Sequence, residues 1–425
     1  MRPEHPEPPL LQPRIIPRPD HRLSRKDISV EALKVLYRLH HAGYLAYLVG
    51  GSVRDLLLGK QPKDFDVVTD ARPGEIRKLF RNSRIIGRRF RLVQVFFRGA
   101  HIVEVSTFRR RSEFDETEEE AAPARDKTYG TPAEDALRRD LTINGLFYNI
   151  ADFSLVDYVG GLDDLKAGRI LVIGDPGVRL VRDPVRMLRV LRHAARTGFA
   201  IDPRVWEEIR ALGHLIRTCA PARVLDELLK DFRSAAGGPF FHLMLRSRLF
   251  YAIFPAWDSR LGRGGEARLV DLMSRLDRLV EAGYHFSDSL MWAVFFTPLL
   301  EQEPLPHGFK ELREYIHEKL PEALGGIEFP RQRRDEVALM LALEEIVAGL
   351  ERQQRPIPIR YQRLTAYTEA WLLHQVKESP EEELPERCRP VEIPVRPSKP
   401  KPRRPRRRRR RKGRGKDLGE GAKGV

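Results

Sequence analysis

Two aspartates one residue apart, Asp64 and Asp66, stand in the hydrophobic run "DFDVV" and could do chemistry together. Successive side chains of a β-strand alternate between faces, so residues i and i+2 project from the same face. If the run is a buried strand, both carboxylates project together while Phe65 packs on the opposite side. Carboxylates this close repel each other unless a cation neutralises them. Because Mg²⁺ prefers carboxylates combined with substrate phosphates, the pair predicts a magnesium site.

A third acid, Glu104, lies in the middle of another strand candidate, "HIVEVSTF", between Val103 and Val105. The two valines point to the other face of that strand. Three carboxylates on neighbouring strands can hold a pair of metal ions for an in-line phosphoryl displacement. The alternative is that the D-x-D pair only marks a turn or a solvated strand edge, as such pairs often do.

A Gly-Gly turn precedes the acids in "LVGGSVRDLLL". Small residues such as Gly50 and Gly51 let backbone N–H groups approach a phosphate, and a helix beginning there favours anions. Arg54 falls one turn into that helix, from where it would reach the same phosphates in a charge-assisted contact. A phosphate cradle followed by a metal-binding pair predicts nucleotidyl or phosphoryl transfer.

A stripe of basic side chains follows Asp183 in "DPVRMLRVLRHA". On a helix of about 3.6 residues per turn these side chains fall within about 120°. The stripe comprises Arg182, Arg186, Arg189, Arg192, His193 and Arg196. Such a stripe is usually a solvated face paired with scattered acids. Here the helix has no acid after Asp183, which favours a face turned towards a polyanion or a nucleotide.

The elements that would position these residues form an α+β head. Apolar runs predict strands in "YLAYLV", "DFDVVT", "RIIG", "RLVQVFF" and "HIVEVSTF", and a strand pair in "YNIADFSLVDYVGG". Helical patterns predict helices at residues 27–42, in "SVRDLLL" and in "PGEIRKLF". Residues 111–128 are acidic and aperiodic and read as a loop, and helical patterning dominates from about residue 131 into the 370s.

The composition excludes several classes of protein. Two distant cysteines, Cys219 and Cys388, provide neither a disulfide framework nor a zinc motif and are typical of a reducing cytosol. The sequence has no apolar run long enough to span a bilayer and no secretory leader pattern. Of the net charge of +16, residues 396–425 carry +13, so the basic character lies in a Pro-interrupted, Arg-rich arm. Such arms stay disordered alone and bind nucleic-acid phosphates by counterion release, with a solubility tail as the alternative.

These residues together resemble the class II nucleotidyltransferases, which include the tRNA CCA-adding enzymes and the bacterial poly(A) polymerases. "VGGSVRDLLLGKQPKDFDVV" is similar to the first motif of that family. The next four motifs are matched in order by "RRDLTINGL", "GGLDDLKAGRI", "DPVRMLRVLRHA" and "PARVLDELLK". Within the family, "IIGRRFRLVQV", the opening segment and the Arg-rich arm favour the poly(A) subgroup.

The resemblance implies roles for individual residues. Asp64 and Asp66 would be the catalytic metal-binding pair, with Glu104 as the third acid and Asp140 as a further catalytic residue. Asp140, together with Arg139, would contact the ribose; without the resemblance, Asp140 reads as a helical acid paired with a neighbouring arginine. The nucleotide-binding set would be Gly50, Gly51, Arg54, Arg139, Asn144, Asp183, Arg186 and Arg189, of which the last three would read the edge of the base. The RNA-binding residues of the arm would be Arg403, Arg404, Arg406, Arg407, Arg408, Arg409, Arg410 and Arg411.

The expected architecture is a polymerase-beta-like nucleotidyltransferase head with a small mixed sheet, then an all-α neck and body and a disordered basic tail. The expected segments are a Pro-rich extension (1–25), the head (26–150), the neck (151–240), the body (241–385) and the tail (386–425).

The predicted activity is template-independent addition of AMP from ATP to RNA 3′ ends, with two Mg²⁺ ions. RNA-decay machinery is a further expected partner, no membrane is involved, and the expected location is the cytoplasm. The alternatives are a CCA-, CC- or A-adding tRNA nucleotidyltransferase and a non-catalytic RNA-binding protein.

Overall fold

The computed structural model describes residues 12–87, 91–110, 129–232, 235–327, 329–380 and 382–388. The acidic segment 113–120, part of "IIGRRFRLVQV" and the whole Arg-rich arm lie outside the described residues. By internal contacts, the described residues belong to one compact unit, so the boundaries of head, neck and body stay predictions.

An eight-stranded mixed sheet forms the head, in the order β1-β8-β7-β2-β3-β6-β5-β4. The pair β3–β6 is parallel, and the other neighbours are antiparallel. The strands are β1 (Arg14–Ile16), β2 (Ala46–Val49), β3 (Asp66–Thr69), β4 (Ser83–Ile86), β5 (Leu92–Phe96), β6 (Ile102–Thr107), β7 (Leu146–Asn149) and β8 (Leu155–Asp157).

Four helices accompany the sheet: α1 (Val30–His41), α2 (Gly51–Leu57), α3 (Pro73–Leu79) and α4 (Pro132–Arg138). Ser29 caps the start of α1 by accepting a hydrogen bond from the backbone N–H of Ala32. Thr131 and Glu134 form a capping box at the start of α4. Buried valines on alternate positions of the strands, such as Val67, Val93 and Val105, turn one face of the sheet into core.

Helices make up the rest, apart from the short parallel pair β9 (Arg169–Ile170) and β10 (Ala200–Ile201). Residues 151–240, predicted as the neck, contain α5 (Gly161–Ala167), α6 (Pro176–Arg182), α7 (Arg186–Thr197), α8 (Pro203–Leu212) and α9 (Pro221–Phe232), and α10 (Gly237–Arg246) crosses the predicted boundary with the body. Residues 241–385, predicted as the body, contain α11 (Leu249–Ile253), α12 (Gly262–Glu281), α13 (Asp288–Leu300), α14 (Phe309–Ala323), α15 (Arg331–Arg352), α16 (Ile359–Gln362) and α17 (Tyr367–Glu378), and α18 (Leu384–Arg387) crosses its predicted end.

The body packs around α13, where every residue from Ser289 to Leu300 is buried. Aromatic rings dominate this core; the centroids of Trp257 and Phe295 lie 4.8 Å apart. A polar group is buried nearby: Glu344 contacts both His374 and Lys377. A helix that is apolar on all sides is stable in water only when other elements surround it, so α13 organises the helical body.

Within the Pro-rich opening, the extended segment Arg14–Ile16 forms β1, which pairs with β8 along the edge of the sheet. Two expectations about local structure need correction. Strand β3 begins at Asp66, so Asp64 belongs to the preceding loop and both aspartates are exposed rather than buried. The basic stripe is divided between two helices, with Arg182 on α6, because the residue before Pro184 is disfavoured in helical conformation.

Candidate active site

Asp66, the first residue of β3, and Glu104, in the middle of β6, stand side by side as register partners of these parallel strands. They line a cavity of about 410 Å³ between the sheet and the helical neck. The carboxylates lining the cavity are Asp66, Glu104, Asp135, Asp140, Asp183 and Glu227, and the guanidinium groups are Arg109, Arg138, Arg139, Arg186, Arg189 and Arg223. Such a mixed lining suits a ligand that carries both phosphates and polar ring edges.

The electrostatics of the two acids are unusual for surface carboxylates. Asp66 is exposed as a whole residue, but its carboxylate lines the cavity and is desolvated there; this desolvation and the charge of Glu104 raise the pKa of Asp66 to about 6, against the opposing charge of Arg139. Glu104 itself accepts a hydrogen bond from Nε2 of Gln94 at 2.9 Å. A divalent cation beside these carboxylates would stabilise the ionised form of Asp66, whose pKa the neighbouring acid helps to raise.

Asp64 lies in the loop before β3, outside the residues that line the cavity, although its charge contributes to the raised pKa of Asp66. Throughout the part of the chain that the structure describes, no group of three His, Cys, Asp or Glu side chains is arranged to hold a metal ion. The expected cluster of three acids is therefore not assembled. The donor set that is in place, Asp66 with Glu104, still fits Mg²⁺, which needs few protein ligands when phosphates supply the others.

The Gly-Gly turn places the start of α2 against these acids. Gly50 has φ 72° and ψ −140°, a backbone conformation that L residues rarely adopt. A Cβ atom there would lie 3.5 Å from Nη1 of Arg139 and 3.8 Å from Oδ2 of Asp66. The backbone conformation thus requires glycine, and it brings the turn close to the catalytic candidates.

Arg54 does not occupy the position that the sequence suggested. It is only 3% exposed and lies outside the residues lining the cavity. Its Nε and Nη2 donate to Asp55 Oδ1 at 2.9 and 2.7 Å, and its Nη1 donates to Asn144 Oδ1 at 2.8 Å. In this arrangement Arg54 joins α2 to the neighbouring chain segment, and Asn144, also buried, is its partner rather than a cavity residue.

Asp140 and Arg139 follow α4 directly. Asp140 accepts hydrogen bonds from Nε of Arg189 at 2.6 Å and from the backbone N–H of Leu141 at 2.9 Å. Burial opposes ionisation of Asp140, but Arg189 outweighs it and holds the pKa of that carboxyl well below its usual range. Arg139 is held by Asp135, with Nη2 2.9 Å from Oδ2. Both side chains line the cavity as expected.

The basic stripe has protein partners that the sequence did not reveal. Glu227 of α9 pairs with Arg192 and lies 3.7 Å from Arg189. Asp183 pairs with Arg223 at 3.1 Å, again from α9. Acids from other elements therefore pair with the stripe, so the absence of acids on the helix itself does not show that the stripe lacks acidic partners. Arg186 and Arg189 still face the cavity.

Five further cavity residues were not singled out from the sequence: Arg109, Asp135, Arg138, Arg223 and Glu227. Arg223 and Glu227 stand in "PARVLDELLK", a motif that was identified without a role for any of its residues. Arg109 lies two residues after the end of β6 and five residues after Glu104, and no local pattern in the sequence marked it as a site residue.

Two family models match the chain. The poly A polymerase head domain matches residues 46–171, which include Asp66, Glu104 and Asp140. A probable RNA and SrmB-binding site of polymerase A matches residues 198–261. The chain therefore belongs to the nucleotidyltransferase family that holds the poly(A) polymerases and the CCA-adding enzymes.

Within that family, the similarity is to poly(A) polymerase I. The protein of that name from Salmonella typhi is 45% identical over 299 residues, and the one from Haemophilus influenzae is 40% identical over 292 residues. These alignments cover 68% and 66% of this chain and 64% of each relative, so the chain spans less than two thirds of their length. A CCA-adding enzyme from Bacillus pumilus is 37% identical over 47% of this chain and 48% of its own.

Solved structures share the fold. The CCA-adding enzyme of Bacillus stearothermophilus in complex with CTP has a TM-score of 0.63 at 23% identity, covering 84% of this chain and 80% of that one. A tRNA nucleotidyltransferase complexed with a primer tRNA and an ATP analogue has a TM-score of 0.57 at 24% identity, covering 83% of this chain and 96% of that one. Among the described residues, no helix is long and apolar enough to cross a membrane.

Proposed function

We propose that this protein adds AMP from ATP to RNA 3′ ends without a template, releasing pyrophosphate. The observation that carries the proposal is the single cavity in which Asp66 and Glu104 of the sheet face Arg186 and Arg189 of α7. Acids suited to a cation and donors suited to a base edge thus share one space. The 45% identity to poly(A) polymerase I supports the choice of AMP and of RNA.

Asp66 and Glu104, with Asp64 from the adjoining loop, would hold Mg²⁺, as a pair of ions in this proposal. The metal would supply charge neutralisation at the reacting phosphate and a lowered pKa for the attacking 3′-hydroxyl. The raised pKa of Asp66 supports this assignment, because a cation beside Glu104 would remove the repulsion that raises it.

The protein's own side chains position the nucleotide. Arg139 and Asp140 would contact the ribose, and Asp183, Arg186 and Arg189 would read the base. Asp140 and Arg189 are hydrogen-bonded to each other, so an entering nucleotide meets a preformed pair rather than two loose side chains. Such preorganisation lowers the reorganisation that the reaction requires.

The second candidate is CCA-type addition to tRNA. It is favoured by the resemblance of the fold to CCA-adding enzymes and by the 37% identity to the Bacillus pumilus protein. Both activities would use the same cavity residues and differ in the RNA and in where addition stops. The Arg-rich arm would favour repeated addition by holding RNA without sequence preference. An RNA-decay partner and a cytoplasmic location remain predictions.

A primer-extension assay with Mg²⁺ separates these functions. An unstructured RNA and a tRNA lacking its 3′ end would each receive ATP alone, CTP alone, or both. Long ladders on the unstructured RNA with ATP are the expected result. Short, defined additions confined to the tRNA would establish the CCA-type activity instead. Absence of incorporation on both RNAs, at any Mg²⁺ concentration, would leave a non-catalytic RNA-binding protein.

A further inference from the structure

A buried polar cluster lies beside the candidate active site and outside it. Its three members are Arg54 of α2, Asn144, which precedes β7, and His193 of α7. They are 3%, 7% and 9% exposed. A guanidinium group this deeply buried is stable only when nearly all of its N–H groups have acceptors. His193 belonged to the basic stripe of the sequence, but the structure turns it inward, towards Arg54.

The hydrogen-bond chemistry fixes the state of the histidine ring. Nη1 of Arg54 lies 3.0 Å from Nδ1 of His193. Arginine can only donate, so Nδ1 must accept, and the ring is neutral with its hydrogen on Nε2. Burial and the charge of Arg54 lower the pKa of His193 well below its ordinary value, in agreement with a neutral ring. Nε2 then carries the ring hydrogen and lies 3.3 Å from the amide nitrogen of Asn144, so both atoms of this contact are donors.

His193 stands one helical turn after Arg189 on α7. Arg189 donates to Asp140, while His193 accepts from Arg54. Helix α7 is therefore joined to the head at two points one turn apart. Two contacts fix both the position and the rotation of a helix, whereas one contact leaves it free to turn. The rotation of α7 decides where Arg186 and Arg189 point.

We propose that His193 is a positioning residue for nucleotide selection: by accepting the hydrogen bond from Arg54 it fixes the rotation of α7, which presents Arg186 and Arg189 to the base. This inference rests on the proposed nucleotidyl transfer. The role requires an unprotonated acceptor at the position of Nδ1 and needs neither a proton transfer nor contact with the substrate. Since Asp66 and Glu104 stand on different elements, the chemical step itself should change little.

The test compares His193→Leu with His193→Asn in the full chain. Asn places an amide oxygen close to the position of Nδ1, whereas Leu has nearly the same shape and no acceptor. An unpaired buried donor weakens the structure it belongs to, so we expect His193→Leu to raise KM for ATP about tenfold or more, with kcat within about threefold. The preference for ATP over CTP should fall in parallel. His193→Asn should restore both KM and the preference.

The melting temperature of each variant separates positioning from general stability. Equal KM and equal nucleotide preference in folded wild type and His193→Leu would overturn the proposal, and so would equal defects in the Leu and Asn variants. If His193→Leu does not fold, His193→Gln replaces it, because Gln places its oxygen near Nε2 and should show the same rise in KM. A wild-type protein that incorporates no nucleotide would refute the proposed function instead, a result that is distinguishable from either outcome above.

Discussion

Asp66 and Glu104 are direct partners in the register of the parallel strands β3 and β6, although Asp66 begins its strand and Glu104 lies in the middle of its own. The offset brings together two carboxylates from distant parts of the sequence. It places them where the loop carrying Asp64 enters the sheet and where the Gly-Gly turn begins α2.

Replacing Asp66 by Asn should abolish AMP incorporation without unfolding the protein. The loss should be about a thousandfold or more, since metal stabilisation of the transition state contributes several kcal/mol. RNA binding, measured by filter retention, should stay within about twofold of wild type, because Asp66 lies outside the arm that we propose as the phosphate-binding segment. Asp163→Asn is the matched control: it makes the same chemical change in an exposed ion pair with Arg14. Retained activity in Asp66→Asn would remove Asp66 from the site.

Gly50→Ala tests the turn. The positive φ of Gly50 makes any side chain costly, by about 1–3 kcal/mol of unfolding free energy. Gly43→Ala is the matched control, with φ +86° and no heavy atom within 4 Å of the added Cβ. Both variants should lose stability in urea titrations, but only Gly50→Ala should also lose incorporation, because relaxation of the strained backbone would shift a turn that lies against Arg139 and Asp66. Equal losses of activity in Gly50→Ala and Gly43→Ala would indicate that the turn at Gly50 has only a structural role.

Asp140→Asn tests the pair with Arg189. Removing one charge from a mostly buried pair should lower the unfolding free energy by about 1–3 kcal/mol at neutral pH. The pKa of Asp140 is depressed in the folded protein, so its contribution is present above the unfolded pKa of about 3.9 and is lost as pH falls through the folded value. The difference in unfolding free energy between wild type and variant should therefore stay about constant from pH 5 to 7 and narrow only in strong acid. A gap that widens on acidification contradicts this assignment.

The buried histidine of the body, His374, has a raised pKa, so its contribution to stability changes with pH in the opposite direction to that of Asp140. Burial opposes protonation of His374, but hydrogen bonds to Glu344 and Glu351 outweigh it and raise the pKa of His374. Its protonation therefore adds stability that is fully present below about pH 6.5 and is lost as pH rises through the folded pKa. Chemical denaturation of His374→Gln should show a larger deficit at about pH 5.5 than at about pH 8.5. His242→Gln, at an exposed histidine, is the control. A loss of stability in His374→Gln that does not depend on pH would exclude a charged His374 paired with Glu344 and Glu351.

Deleting residues 396–425 tests the Arg-rich arm, which lies outside the described residues. The deletion removes 15 basic residues against two acids. RNA affinity should fall, and the slope of log K against log salt should flatten by about 0.7 for each phosphate of a single strand that the arm no longer neutralises. Incorporation at saturating RNA should remain, because the cavity is built from residues of the head and neck. An unchanged salt slope would assign the binding of phosphates to another part of the chain.

Local patterns predicted the elements of the head well. The strands from "YLAYLV" to "HIVEVSTF" and the helix after Gly51 are confirmed, since alternation, β-branched residues and glycine punctuation are local signals. Strand β1 escaped prediction, because its three residues lie among prolines and only the distant partner β8 makes them a strand. Asp64 was placed in the strand because a hydrophobic run does not show where its first hydrogen-bonded residue lies.

The site was predictable where the motif itself brings residues together, and less so where partners come from elsewhere. Asp66, Glu104, Asp140, Asp183, Arg186 and Arg189 line one cavity, as the resemblance implied. Arg54 was expected there and is instead buried. Helical spacing gives the direction of a side chain but does not show which hydrogen-bond acceptors lie near it in the fold. The acids that pair with the basic stripe were invisible for the same reason: Glu227 lies more than thirty residues from Arg189 in the sequence.

The edge pairing of β1 with β8 also sets an order of events during synthesis. Arg14 pairs with Asp157 and Tyr47 with Asn149, so the two ends of the head sequence meet in neighbouring rows of one sheet. A growing chain cannot complete that sheet until β7 and β8 have left the ribosome, because loop closure must precede these non-local contacts. Strands β2 to β6 pair with one another, but until then the edge of β2 that pairs with β7 stays exposed and is prone to wrong pairing. The head should therefore reach its full protease resistance only after β8 has been synthesised.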